Sequence, residues 1–166
     1  MINTVSFEAF GVKYKTKQFA AAKALRLMDR LAWVHPVDLL ETTEADGVCL
    51  DTPEAINKAI LDRAGILAPR EVLNGILALV KEANYGFISA WKGVKVPRRF
   101  INEAATTIST HADPLISVLI QEDVATLKEL EEYYSLEDAF TMFDIVMAKN
   151  VNAALSHEAA MNESKR

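Results

Sequence analysis

The feature that most limits the possible folds is a change of hydrophobic period near Phe19. Before this point, from Thr4 to Phe19, apolar and polar residues alternate, which is the period of a strand with one buried face. The alternating apolar residues are Val5, Phe7, Ala9, Val12 and Tyr14. A glycine between the two runs predicts a β-hairpin over residues 4–19, with its turn at Phe10 and Gly11. Two strands alone are marginal in water, so the hairpin must pack on helices or pair with another chain.

After Phe19 the apolar residues recur at spacings of three and four, the period of amphipathic helices. The first helix is predicted from Ala20 to Val34, because the residue before Pro36 disfavours helical angles. Further helix starts are predicted at Thr52-Pro53, Pro69, Asp113-Pro114, Asp123 and Ser135, where a capping residue or a first-turn proline precedes an apolar stripe. Gly65 is predicted to end the helix that starts after Thr52.

The predicted fold is therefore mainly α, a multi-helix domain with a short N-terminal β-hairpin and little other β-structure. Residues 1–155 are predicted to form a single helical domain, and the polar residues 156–166 a frayed tail. Thr42–Gly47 is predicted to be a loop, followed by a short apolar run at Val48–Leu50 that is compatible with a strand.

Two segments before the Asp113 helix are less regular. Tyr85–Val96 is aromatic and contains glycine, and its pattern fits either a broken helix or a strand. Arg98–His111 is predicted to contain a further helix, which its threonines weaken.

Composition restricts the class of protein. The chain has 166 residues, 51% of them hydrophobic, which is enough to bury a core and unlike a disordered chain. A net charge of -5 argues against nucleic acid as the main partner. The N-terminus shows no signal peptide, and the longest apolar run, Ile76–Val80, is too short to cross a bilayer. We therefore expect a cytoplasmic protein without a membrane partner.

The residues needed for catalysis or metal binding do not form a known pattern. The three histidines lack metal-ligand spacing, and Cys49 is the single cysteine, without a surrounding nucleophile signature. His111 and Asp113 fit a polar loop before a helix better than a catalytic pair. No glycine-rich phosphate motif is present. The sequence thus predicts a non-enzymatic, protein-binding function without metal or cofactor.

One segment, WKGVKVPRRF, combines positive charge with aromatic residues. Its basic residues are Lys92, Lys95, Arg98 and Arg99. It is either a docking site for an acidic partner, with Trp91 and Phe100 adding contact area, or a solvated loop whose aromatic rings enter the core.

The hairpin edge has two interpretations as well: it caps the helices, or it pairs with a strand of a partner.

Both ends of the chain resemble a known family. Gly11-Val12-Lys13-Tyr14, then the basic connector Lys15–Phe19 and the helical stretch AAAKALRLMDRL, resemble the opening of tail assembly chaperones of tailed bacteriophages. The segment YYSLEDAFTMFDIVMAKNVNAAL resembles their closing helix. The resemblance covers about half of the chain and leaves residues 35–110 unmatched.

This resemblance implies a chaperone that binds the phage tape measure protein in the bacterial host cytoplasm, helps recruit tail tube subunits, and is absent from the finished virion. It is compatible with a homo-oligomer. The predicted partner-binding residues are Lys92, Lys95, Arg98, Arg99, Trp91 and Tyr14. The competing functions are a structural tail or baseplate component, a cytoplasmic helical adaptor or regulatory protein, and an enzyme whose polar residues converge from distant positions in the sequence.

Overall fold

The computed structural model describes residues 1–100 and 111–164. The α-helices of this part are Ala21–Met28 (α1), Pro36–Leu40 (α2), Pro53–Ala59 (α3), Pro69–Tyr85 (α4), Pro114–Gln121 (α5), Leu127–Glu132 (α6) and Leu136–Glu163 (α7). The strands are Thr4–Ala9 (β1), Val12–Lys17 (β2), Thr43–Ala45 (β3) and Val48–Cys49 (β4), and 3₁₀ turns lie at Gly86–Ala90 and Arg98–Phe100. The fold is mainly α with minor β-structure, as the sequence predicted, although the β-structure is a four-stranded antiparallel sheet and not a hairpin alone.

The predicted hairpin is present as half of a larger sheet. Strands β1 and β2 pair antiparallel, and Ala9 and Val12 face each other beside the turn. Phe10 and Gly11 both have positive φ, 56° and 76°, which is the type I′ turn that matches the twist of two short strands. Strand β3 lies beside β2, and β4 forms the edge opposite β1, so the strand order is β1-β2-β3-β4.

The prediction of a loop at Thr42–Gly47 is wrong, because this segment contains β3. Thr43 is buried, and its hydroxyl donates a hydrogen bond to the hydroxyl of Thr16 on β2 at 2.9 Å. Such a strand is stabilised by a partner far away in the sequence, so its local pattern is weak. The dipeptide Asp46-Gly47, with φ of 47° and 83°, forms a second type I′ turn and was the available hairpin signal.

Several helix boundaries agree with the capping residues and others do not. Thr52 accepts a hydrogen bond from the Ala55 N–H at 3.2 Å and begins α3, as predicted. The helix ends at Ala59, so Gly65 lies in the following loop and does not cap it. Helix α6 is capped by Thr126 and not by Asp123.

The ends of the first and last helices also differ from prediction. Helix α1 ends at Met28, and the chain continues in tight turns. One of these turns is closed by a hydrogen bond from the Arg30 N–H to the Leu27 carbonyl. Helix α7 continues to Glu163, so residues 156–163, predicted as a frayed tail, are helical. These residues are polar, yet alanine, glutamate and methionine among them are good helix formers.

The buried side chains form one cluster between the inner face of the sheet and the helices. The largest fully buried ones are Tyr14, Phe19, Leu39, Leu40, Leu50, Ile76, Leu119, Leu130 and Leu136. The ring of Phe10, at the hairpin turn, lies against Gly75 in α4, where a Cβ atom would come within 2.8 Å of the ring. The absence of a side chain at Gly75 therefore lets the hairpin turn approach the helix.

A buried amide joins the end of the sheet to α4. The Oδ1 atom of Asn84 accepts a hydrogen bond from the Phe19 N–H at 2.7 Å, and its Nδ2 atom donates to the Val80 carbonyl at 2.8 Å. We expect Asn84→Ala to lower the free energy of unfolding by about 1–3 kcal/mol, because the Phe19 N–H loses its partner in the interior. Urea unfolding measures this loss, and a decrease below about 0.5 kcal/mol would mean that water replaces the amide.

Candidate protein-binding surfaces

The basic segment Trp91–Phe100 is held against α7 at both ends. The indole of Trp91 packs edge-on against Phe87 and Phe140, with ring centroids 6.1 and 5.6 Å apart. The Val94 N–H donates to the Asp144 carboxylate at 2.6 Å. Trp91 is half-buried in this aromatic group, so most of its ring contacts the chain itself.

The four cations of the segment differ in their surroundings. Arg99 donates two hydrogen bonds to the Glu158 carboxylate, at 3.0 and 3.1 Å, and lies over the Phe100 ring. Lys92, Lys95 and Arg98 are exposed and make no ion pair within residues 1–100 and 111–164. These three cations are therefore the part of the segment available to an acidic partner.

Tyr14 does not contribute to an exposed binding surface. Its side chain is 1% exposed and stacks on Phe7 at 5.3 Å between ring centroids. Burial raises the pKa of its phenol; the nearby Asp46 raises it further, while Arg63 lowers it. The prediction of Tyr14 as a partner contact is wrong, because alternation along β2 directs this residue toward the core and the neighbouring lysines toward solvent.

An apolar surface that the sequence analysis missed lies on the loop between α3 and α4. Leu61, Ile66 and Leu67 lie on this loop and we call them the apolar loop patch; Val48 of β4 is a further exposed apolar residue. All four side chains are exposed, Ile66 by 82%. Val48 and Leu61 line one cavity of about 250 Å³ between the sheet and α3.

The loop that carries this patch is folded around Asp62. The Asp62 carboxylate accepts hydrogen bonds from the N–H groups of Ala64, Ile66 and Leu67 at 2.9, 2.7 and 2.9 Å. Gly65 adopts the left-handed conformation that this turn requires, with φ of 68°. The apolar side chains therefore point to solvent from a loop with defined backbone hydrogen bonds.

Arg63 fixes this loop to the hairpin. Its N–H donates to the Phe10 carbonyl at 3.2 Å, and its guanidinium forms an ion pair with Asp46. A sequence signal existed, since Asp62 precedes glycine and two large apolar residues within a short loop. It was missed because Ile60 and Ala64 continued the apparent helical stripe.

We expect the carboxyl pKa of Asp62 to lie below the ordinary value of 3.8, because the N–H groups of Leu67, Ala64 and Ile66 stabilise the charged form. Because the pKa is lower in the folded state, these hydrogen bonds stabilise the fold fully at pH values above the pKa of the unfolded state. The stabilisation is lost as the pH falls through the lower pKa of the folded state. An NMR titration of the Asp62 carboxyl measures it. A pKa at or above 3.8 would show that the loop bonds do not persist in solution.

The Asp62→Ala variant should loosen the loop without unfolding the protein. Its three N–H groups lose their acceptor, so we expect faster amide exchange at Ala64, Ile66 and Leu67 and unchanged exchange in α4. The Asp123→Ala variant, at another exposed turn with positive φ, is the control and should leave these three amides unchanged. Equal exchange rates in wild type and Asp62→Ala would contradict the proposed loop structure.

Other sequence candidates have structural contacts. The Asp113 carboxylate accepts the Leu115 N–H at 2.8 Å and caps α5, as predicted. The Cys49 thiol is exposed and donates to the Glu41 carbonyl at 3.6 Å. The part of the chain that the structure describes contains no group of acidic, histidine or cysteine side chains arranged to hold a metal ion, and none of its helices is long and apolar enough to cross a membrane.

Among the residues that the structure describes, the apolar loop patch and the cations Lys92, Lys95 and Arg98 are exposed features on different elements. In comparisons with known proteins, no family model, curated protein or solved structure matches this chain.

Proposed function

We propose that this chain is a non-enzymatic chaperone that binds the tape measure protein of a tailed bacteriophage through the apolar loop patch. The observation that carries the proposal is an apolar surface exposed on a loop with defined structure. Several large apolar side chains exposed on one loop are typical of surfaces that bind other proteins. The choice of partner comes from the resemblance of both chain ends to tail assembly chaperones.

The chemistry of the patch suits a helical, apolar partner. Ile66 and Leu67 would enter the groove between side chains of an amphipathic helix, the type of face that a long helical protein exposes before assembly. The Asp62 hydrogen bonds hold the loop in one conformation, so less conformational entropy is lost on binding. The cations Lys92, Lys95 and Arg98 would add attraction for acidic residues and increase the rate of association.

Co-expression with the tape measure protein of the same genome tests the proposal. We expect the tape measure protein to be soluble and to co-purify with this chain, and to aggregate without it. Purified virions should lack the chain, because a chaperone leaves before the tail is complete. Unchanged solubility without co-purification, or a stable amount of the chain in virions, would contradict the proposal.

A further inference from the structure

The outer edge of β1 is open. The pairs next to the turn alternate between hydrogen-bonded and non-hydrogen-bonded, beginning with the bonded pair Ala9 and Val12. The backbone groups of Thr4, Ser6 and Glu8 therefore point away from β2. In the described part of the chain no other strand pairs with β1, and none of the hydrogen bonds found there uses these three N–H groups.

This edge lacks most of the features that protect exposed strands. It contains no proline, lysine or bulge, and Glu8 is its single charged residue. Val5, on the core-facing side of the strand, is still 36% exposed. A regular six-residue strand with such an edge is suited to pairing with another strand.

We propose that β1 pairs antiparallel with β1 of a second copy, centred on Ser6, so that two four-stranded sheets become one continuous sheet. In this register Ser6 faces Ser6 of the second copy, and Thr4 faces its Glu8. These residue pairs each exchange two backbone hydrogen bonds. All of the open groups on the edge are then used.

The side chains fit this register on both faces of the sheet. On the core-facing side, Val5 meets Phe7 of the second copy, an apolar pair that covers the exposed part of Val5. On the outer face no like charges are opposite each other. Glu8 of each copy keeps Lys13 of its own chain on one side and gains Thr4 of the second copy on the other. The edge pairs with its own sequence without a like-charge contact on either face, and this self-complementarity favours a second copy over an unrelated strand.

The oligomeric state tests the proposal. We expect the wild-type chain to show the mass of two chains in light scattering across a dilution series. Ser6→Pro should shift it to one chain, because proline removes an N–H from the open edge and leaves the bonds between β1 and β2 in place. Ser6→Ala keeps the backbone donor and should remain dimeric. Circular dichroism and thermal unfolding show whether each variant is folded.

Cross-linking tests the register and does not depend on the proline variant. The Ser6→Cys variant, in a Cys49→Ser background, should form an intermolecular disulfide on mild oxidation. The Cα atoms at position 6 of the two chains would be about 5.5 Å apart, within the range of a disulfide. Glu8→Cys in the same background is the control and should remain reduced, because Glu8 faces Thr4 of the second copy.

Each of the following results would overturn the proposal. A wild-type chain that stays monomeric at all concentrations excludes self-pairing. A dimer that Ser6→Pro leaves unchanged places the contact elsewhere, and faster cross-linking of Glu8→Cys than of Ser6→Cys excludes the register. A monomer whose binding to the tape measure protein is lost in Ser6→Pro would assign the edge to a strand of that partner instead.

Discussion

The Ile66→Asp, Leu67→Asp double variant should fail to keep the tape measure protein soluble while remaining folded. Both side chains are exposed in the free chain, so replacing them removes little from the core. In the complex, burial of the surface that the two side chains still expose is worth about 2–4 kcal/mol together, so the loss of both weakens binding by a factor of about 10 to 10³. The charges add a desolvation cost against an apolar partner.

The matched control for this variant is Ile145→Asp. Ile145 is 64% exposed on α7, so the substitution repeats the Ile66→Asp part of the change on a different element. We expect wild-type binding from this control, measured by the soluble fraction of tape measure protein in co-expression. Equal losses in both variants would indicate a general effect of apolar surface, and wild-type binding by the double variant would exclude the patch.

The second large effect concerns stability. Phe19→Ala should lower the free energy of unfolding by about 3–5 kcal/mol, since it removes a buried ring and leaves a cavity. Phe19 lies where the sheet joins α1, and its N–H is bonded to the buried amide of Asn84. Small domains have a total stability of about 5–15 kcal/mol, so this variant loses a large part of it.

Urea unfolding of Phe19→Ala measures this effect, and Trp33→Ala is its control. Trp33 is 89% exposed, so removing its ring should change the unfolding free energy by less than about 0.5 kcal/mol. A loss below about 1 kcal/mol in Phe19→Ala would mean that the surrounding helices close the cavity. That outcome would contradict a well-packed junction between sheet and helices.

The elements that the sequence predicted well are those with local determinants. The hairpin turn at Phe10 and Gly11 depends on two adjacent residues, and the starts of α3 and α7 depend on caps at Thr52 and Ser135. Strand β3 depends instead on the buried contact between Thr43 and Thr16, which are far apart in the chain. The local signal for β3 was therefore limited to the turn dipeptide Asp46-Gly47 that follows it.

The candidate surfaces also differ in how directly the sequence indicates them. Exposure of Lys92, Lys95 and Arg98 follows from charge, so the sequence indicated these cations directly. The apolar loop patch was missed, because isoleucine and leucine are residue types that are usually buried in the core. Only the turn closed by Asp62 places them at the surface.

Hydrogen exchange of the chain with and without the tape measure protein tests the central claim most directly, namely that the apolar loop patch binds this partner. We predict slower exchange on binding at Ile66 and Leu67 and in β4, with α6 unchanged as an internal reference. A complex that forms with unchanged exchange in the loop and new protection elsewhere would contradict the claim.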